Sequence, residues 1–236
     1  MIRLRQCVSY ARLLETAVAE YEEDLTQQDF TLSEVIARYD ELERPAKLDA
    51  LLSLVQSLHA HGEKVVIWSN FIRTLELLKE NVTSIDPGVG LIYGATPIQE
   101  ADARDELTRE RIIEEFCRPE SGMDVLVANP AACAESISLH KTCSHAIYYD
   151  LSYNCAQYLQ TLDRIHRVGG SEDKESHYHF LQYEGTIDGD VLGNLERKAA
   201  NMSAIVDKDY AVYSLDMFAE DDEQEAYERL FGSKHR

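Results

Sequence analysis

LDALLSLVQSLHAHGEKVVIWSN, residues 48–70, changes its periodicity part-way and so decides the fold class. Leu48, Leu51, Leu52, Val55 and Leu58 recur at three- and four-residue steps, which predicts an amphipathic helix, and His61-Gly62 closes it. From Lys64 to Trp68 the helical spacing gives way to a short apolar run rich in β-branched residues, the pattern of a strand buried on both faces. Helix, glycine turn and buried strand make the repeating unit of an α/β protein.

The alternation continues in both directions. Downstream, apolar patterning predicts a helix over 72–80, strands over 89–93, 124–128, 146–149 and 176–182, and helices over 99–117, 156–166 and 187–206. Upstream, helical spacing runs over 2–21 and 32–42, and Pro45 ends that part. The expected fold class is α/β: a mostly parallel sheet flanked by helices. Four segments follow: helical 1–44, the main α/β unit 45–184, a closing helix 185–213 and an acidic tail 214–236. The tail carries Asp216, Glu220, Asp221, Asp222, Glu223 and Glu225, a run that reads as a solvated face or loose end.

Composition restricts the function. With 43 acidic against 23 basic residues the net charge is −20, which opposes binding to a polyanion unless the basic groups gather on one face. No apolar run approaches the roughly 20 residues of a membrane span, and residues 1–11 lack a signal-peptide core and cleavage site. An intracellular location is expected, with no membrane partner. The five cysteines are odd in number and without a CxxC pair, so reduced thiols are expected rather than disulfides or zinc. His177 and His179 alternate on a predicted strand, with no third ligand nearby in sequence.

In open parallel sheets the loops at the carboxyl ends of the strands carry the site. Four such loops hold polar groups: Ser69-Asn70-Phe71, Gly94-Ala95-Thr96, Ala128-Asn129-Pro130, and Asp150 leading into the helix with Gln157 and Gln160. Asn70, Thr96 and Ser138 can bond a phosphate backbone or cap the helix each precedes; both readings stay open. On the last helix Gln160, Asp163, Arg164 and Arg167 stand at i, i+3, i+4 and i+7 and so share a face. Two guanidiniums there suit phosphate oxygens, since the planar fork donates in pairs and stays charged. Spacing alone favours the plainer reading, an ion pair between Asp163 and an arginine on a surface helix, because such pairs are common there. Cys133 and Ser136 have only His140 nearby as a base, so nucleophilic chemistry is not expected.

The stretch Gln160-Thr161-Leu162-Asp163-Arg164-Ile165-His166-Arg167-Val168-Gly169 resembles motif VI of Swi/Snf-type ATPases of helicase superfamily two, Q-x-x-D-R-x-H-R-x-G-Q, with Gly170 in place of the final Gln. Lys64 to Phe71 is similar to K-V-L-I-F-S-Q-F, Gly94-Ala95-Thr96 to G-S-T, and Arg109, Ile113 and Phe116 to the helix R-x-x-x-I-x-x-F. Ile147 to Cys155 resembles I-x-Y-D-x-x-W-N-P, and Gly185-Thr186-Ile187-Asp188 resembles G-T-I-E. The blocks keep the family's order over most of residues 1–206. The family's motif V, rich in glycine, is matched by Asn129 to Leu139, where every glycine is replaced; Tyr153 stands for Trp and Cys155 for Pro. The branch is divergent.

The resemblance implies a second RecA-like lobe at 45–184, with 1–44 as the inter-lobe helical segment. Arg164 and Arg167 then face the γ-phosphate, Gln160 senses it, and Ser136 and Asp163 lie at the nucleotide. Asn70, Thr96, Asn129 and Ser138 meet the backbone of double-stranded DNA. The cofactor is ATP with Mg²⁺, held mainly by a first lobe, because no G-x-x-x-x-G-K-[ST] loop occurs here. This chain alone is therefore expected to be inactive, as a piece of a longer protein whose other lobe completes the chemistry. The net charge of −20 then requires that basic groups such as Arg73, Arg109, Arg111 and Lys141 cluster at the cleft, or that the first lobe and other domains dominate DNA affinity. A cytoplasmic, nucleoid-associated protein of bacterial source is the expectation, or a nuclear one if the source is eukaryotic. The alternative is a degenerate lobe serving as an interaction module, its acidic surface meeting a basic protein partner.

Overall fold

The computed structural model describes residues 1–15, 30–98, 107–133, 137–166 and 175–206. Ser136, Arg167 and the acidic tail lie outside them. The described elements are α1 (Ile2–Ser9), a 3-10 turn (Ala11–Glu15), α2 (Phe30–Ala37), α3 (Tyr39–Leu42), α4 (Ala46–Ala60), β1 (Val65–Trp68), α5 (Ile72–Val82), β2 (Gly90–Ile92), α6 (Arg109–Cys117), β3 (Val125–Ala128), β4 (His145–Tyr148), α7 (Cys155–Ile165), β5 (His177–Phe180) and α8 (Ile187–Val206).

The unit at 48–70 forms as its pattern dictates. Leu48, Leu51 and Val55 of α4 are buried. Gly62 takes φ +71, its N–H bonds His59 O and the Glu63 N–H bonds Leu58 O, each at 3.0 Å, so the last carbonyls are satisfied as the chain turns into β1. All five strands are parallel, in the order β2-β3-β1-β4-β5. Alternate residues feed two cores: Val65, Ile67, Val125, Val127 and Ile147 pack with α4 and α5, and Val66, Trp68, Leu126, Ala146 and Tyr148 pack with α6, α7 and α8.

Three expected helices differ in extent. The one over 2–21 stops at Ser9, because Tyr10 turns extended (φ −159) and its hydroxyl donates to both Asp40 oxygens at 2.8 and 2.7 Å. The one over 32–42 breaks at Arg38 (φ −103, ψ 13). Within 99–117 the described helix starts at Arg109, since Thr108 is extended and its hydroxyl accepts the Arg111 N–H at 3.3 Å. Residues 99–106 lie outside the described residues.

A buried ion pair joins the start of α4 to the start of α8. Lys47 Nζ donates to Asp188 Oδ2 at 2.7 Å, with side chains 2% and 9% exposed. The same carboxylate oxygen accepts the Tyr183 N–H at 3.0 Å, and the ammonium sits 5.6 and 5.1 Å from the Tyr149 and Tyr183 ring centres.

At the β4–β5 edge the sheet supplies the neighbour that sequence spacing did not offer His177 and His179. His145 pairs with His177 in register, stacks on it at 4.7 Å, and has its Nδ1 3.3 Å from His179 Nε2. Among the described residues no three His, Cys, Asp or Glu side chains are arranged to hold a metal ion. Burial, and then the His177 charge, push the His179 pKa down. A depressed folded value means that the neutral ring is favoured in the fold. The associated stability is present above the unfolded value of about 6.5 and is lost as pH falls through the lower folded value. Urea midpoints measured from about pH 7 to about pH 5 are expected to fall more for the wild-type chain than for His179→Phe.

Candidate functional site

The direction of the chain reverses between β1 and β4. The connection after β1 runs through α5 on one face towards β2, whereas that after β4 runs through α7 on the other face towards β5. Such a reversal leaves a crevice at the carboxyl ends of the two strands. A shallow, solvent-open depression lies there, lined by Asn70, Pro130, Asp150, Ser152, Gln157 and Thr161 among others.

Asp150, 4% exposed, organises this crevice. Its Oδ2 accepts from Ser9 Oγ at 2.9 Å and from Ser69 Oγ at 2.5 Å. Its Oδ1 accepts the Asn70 backbone N–H at 2.8 Å and the Asn70 side-chain amide at 3.0 Å. A buried carboxylate is stable only when its lone pairs are met in this way. Ser9 also bonds Thr74 at 3.0 Å, and Arg5 Nε donates to Leu151 O at 2.9 Å, so α1 is anchored to the same strand ends. Asp150→Ala would leave the Ser9 and Ser69 hydroxyls and the Asn70 N–H without this acceptor. A loss of about 3 kcal/mol is expected in denaturant unfolding, against about 1 kcal/mol for Ser9→Ala.

The expected contact residues sit around this hub, each with partners of its own. Asn70 is half-buried and engaged by Asp150. Asn129 donates to the carbonyls of Ser69 and Asn70 at 3.2 Å each and accepts the Ala131 N–H at 2.9 Å, tying the β3 exit to the β1 exit. Thr96 Oγ1 accepts the Tyr93 N–H at 3.0 Å, and the residue is 7% exposed; its hydroxyl closes its own turn and caps no described helix. Ser138 is exposed and bonds His140 Nδ1 at 2.8 Å.

On α7, capped by Asn154 through the Gln157 N–H at 3.0 Å, the expected common face divides. Gln160 and Asp163 are exposed, whereas Arg164 is 7% exposed. Arg164 lies next to the buried side of α7, which carries Thr161 and Ile165, and that turns the guanidinium inward: Nη1 donates to Ile137 O at 3.0 Å, and the Leu139 N–H bonds Arg164 O at 2.9 Å. Arg164 therefore holds segment 137–139 against α7.

Two of the four basic groups expected at the cleft are already engaged by protein groups. Arg73 donates to Arg12 O at 3.0 Å and to Glu15 at 2.9 Å, and the Arg109 fork is held by backbone carbonyls. Arg111 and Lys141 are exposed. Cys133 is 1% exposed, and burial pushes its thiol up to about 12 against the lowering pull of Arg109 and Arg164, which makes it a poor nucleophile. Sequence reasoning placed Asp150 at a strand end without giving it a role, and it missed Ser9 altogether, since the two are 141 positions apart.

Residues 46–169 match the family model described as "Helicase conserved C-terminal domain". The chain belongs to this helicase C-terminal domain family. The parallel sheet and its crevice are thus the core of a helicase C-terminal lobe. The SNF2 domain-containing protein CLASSY 4 of Arabidopsis thaliana is 30% identical over 144 residues, covering 59% of this chain and 12% of that protein. The DNA repair and recombination protein RAD54B of Gallus gallus is 26% identical over 196 residues, covering 82% of this chain and 20% of that protein. The crystal structure of the C-terminal part of the Fun30 ATPase domain aligns with 98% of this chain and 75% of its own, with a TM-score of 0.58 at 20% identity, a likeness of fold. These relatives bear out the resemblance to Swi/Snf-type ATPases. The chain spans about an eighth to a fifth of the length of the two curated proteins. Both are eukaryotic and lend no support to a bacterial source.

Proposed function

We propose that this helicase C-terminal lobe is the second motor lobe of an ATP-driven translocase on double-stranded DNA. The observation that carries the reading is the crevice at the sheet's reversal point, where the exits of β1, β3 and β4 and the helix α1 are bonded into one unit through Asp150 and Asn129. A motor lobe needs such a unit, because movement at a nucleotide has to reach the surface that grips the polymer. In this reading Asn70, Thr96, Asn129 and Ser138 belong to the loops that face one strand's phosphates. The loop backbones and Ser138 make the contacts, while the other three side chains hold the loops in shape. Arg167 and Gln160 reach the γ-phosphate. Arg164 keeps segment 137–139 in register with α7, and Asp163 stands on the outer face of α7.

ATP with Mg²⁺ fits these residues in part. The exposed Gln160 and Asp163 and the spacing of Arg167 suit the far side of a nucleotide, but the sequence holds no phosphate-cradling loop. The first lobe would supply that loop, and bound Mg²⁺-ATP would supply the phosphoryl group that is transferred to water. The chain's own residues bind and orient that group. The second reading, an interaction module, is favoured by the replaced motif V glycines and by the net charge of −20.

DNA-stimulated ATP hydrolysis separates the two readings. The motor reading expects turnover with duplex DNA from the full protein carrying this chain and none from the chain alone. A full protein that stays silent with both ligands present supports the module instead.

A further inference from the structure

We propose that Arg109 is a positioning residue whose guanidinium clamps the exits of β2 and β3 into one DNA-facing ridge, without itself touching phosphate. This rests on the reading of those loops as part of the DNA surface.

The guanidinium of Arg109 is engaged on every side by main chain. Nε donates to Thr96 O at 3.1 Å, Nη1 to Ala132 O at 3.2 Å, and Nη2 to Tyr93 O at 3.2 Å and Gly94 O at 3.0 Å. The Arg109 backbone N–H adds a bond to Pro97 O at 2.9 Å. Two loops that are far apart in sequence, 93–97 and 129–132, are thereby joined through one side chain, and the Asn129 N–H bonded to Ile92 O at 2.8 Å adds a second tie. Among the described residues no carboxylate pairs with this arginine.

The position makes little sense as helix stabilisation. Arg109 is the first residue of α6, where the helix dipole disfavours a cation. Its charge is compensated by four carbonyl oxygens converging from the two loops. A lysine placed here keeps the charge, but its ammonium is a single point with three N–H groups and lacks the fork that spans four acceptors. Charge and fork are therefore separable by one substitution.

The binding arm uses the full protein carrying this chain, a blunt duplex and a salt series, with wild type, Arg109→Lys and Arg109→Ala. The exchange arm follows amide hydrogen exchange of the chain itself at Tyr93, Thr96 and Cys133, with Val66 and Ile67 in the sheet as controls of folding. The clamp predicts that Arg109→Lys behaves like Arg109→Ala. Loop amides should exchange about tenfold faster, sheet amides should keep their protection, and duplex binding should weaken about fivefold, about 1 kcal/mol. The dependence of binding on log[salt] should stay unchanged for Arg109→Lys, because no phosphate contact is lost.

A direct phosphate contact instead predicts near wild-type binding for Arg109→Lys and a salt slope lowered by about one for Arg109→Ala; that result overturns the proposal. Unchanged loop exchange in both variants overturns it as well, and so does loosened exchange with binding intact. A wild-type protein that binds no duplex refutes the underlying functional reading, and the DNA half of this inference with it, while the exchange arm still decides whether the clamp exists.

Discussion

Arg167→Ala in the full protein is expected to lower DNA-stimulated ATP hydrolysis about a thousandfold while leaving the unfolding midpoint of the chain unchanged. An arginine that meets a transferring phosphoryl group stabilises charge that exists only in the transition state, so its loss appears in kcat and hardly in folding. Arg164→Ala is expected to behave differently. Its guanidinium is 7% exposed and donates to Ile137 O, so truncation leaves that carbonyl short of a partner and frees segment 137–139. Turnover then falls together with stability, by about 1–3 kcal/mol. Single-turnover kinetics beside a urea titration of each variant separates the two. Equal stability losses would show that both residues are structural, and an unchanged midpoint for Arg164→Ala would place its guanidinium at the nucleotide instead.

Lys47→Ala is expected to cost about 3–5 kcal/mol, a large fraction of the stability of a domain of this size. The loss arises less from the missing attraction than from Asp188, 8% exposed in the wild-type chain, whose carboxylate is left with one backbone N–H as its partner. The cation also leaves the Tyr149 and Tyr183 ring faces. Lys47→Met tests the origin of the effect, because it restores volume without charge. If charge is the cause, Lys47→Met remains destabilised, and adding Asp188→Asn recovers most of the loss. If packing is the cause, Lys47→Met alone recovers it. Calorimetric or urea unfolding of the three variants decides this, and it also reports how firmly the start of α8 is held to α4.

The sheet was legible in the sequence because its strands are short apolar runs between amphipathic helices, and residues 48–70 show both patterns side by side. Strand boundaries moved by a residue or two at most, as with β4 at His145–Tyr148 rather than 146–149. The expected helix after β2 does not run unbroken to Cys117, because Thr108, a polar residue inside an apparently helical run, caps the part that begins at Arg109. Which strand lies beside which was not legible: the placement of β1 between β3 and β4 follows from crossovers, and it brings Ser9, Ser69 and Asp150 together from distant parts of the chain.

The candidate site was legible as a set of loops and less so as a set of side chains. Asn70, Thr96 and Asn129 do lie at strand exits, but each already satisfies a neighbour, which residue type alone does not reveal. Helical spacing placed Gln160, Asp163 and Arg164 within one sector of α7. It did not show that Arg164 stands at the edge of that sector, where the adjoining segment 137–139 accepts its fork.

Displacement of a triplex-forming strand from duplex DNA by the full protein tests the central claim most directly, because it reads movement rather than hydrolysis. The account predicts displacement that requires hydrolysable ATP and is lost in Arg167→Ala. ATP turnover stimulated by duplex DNA, with the third strand left in place, would contradict translocation.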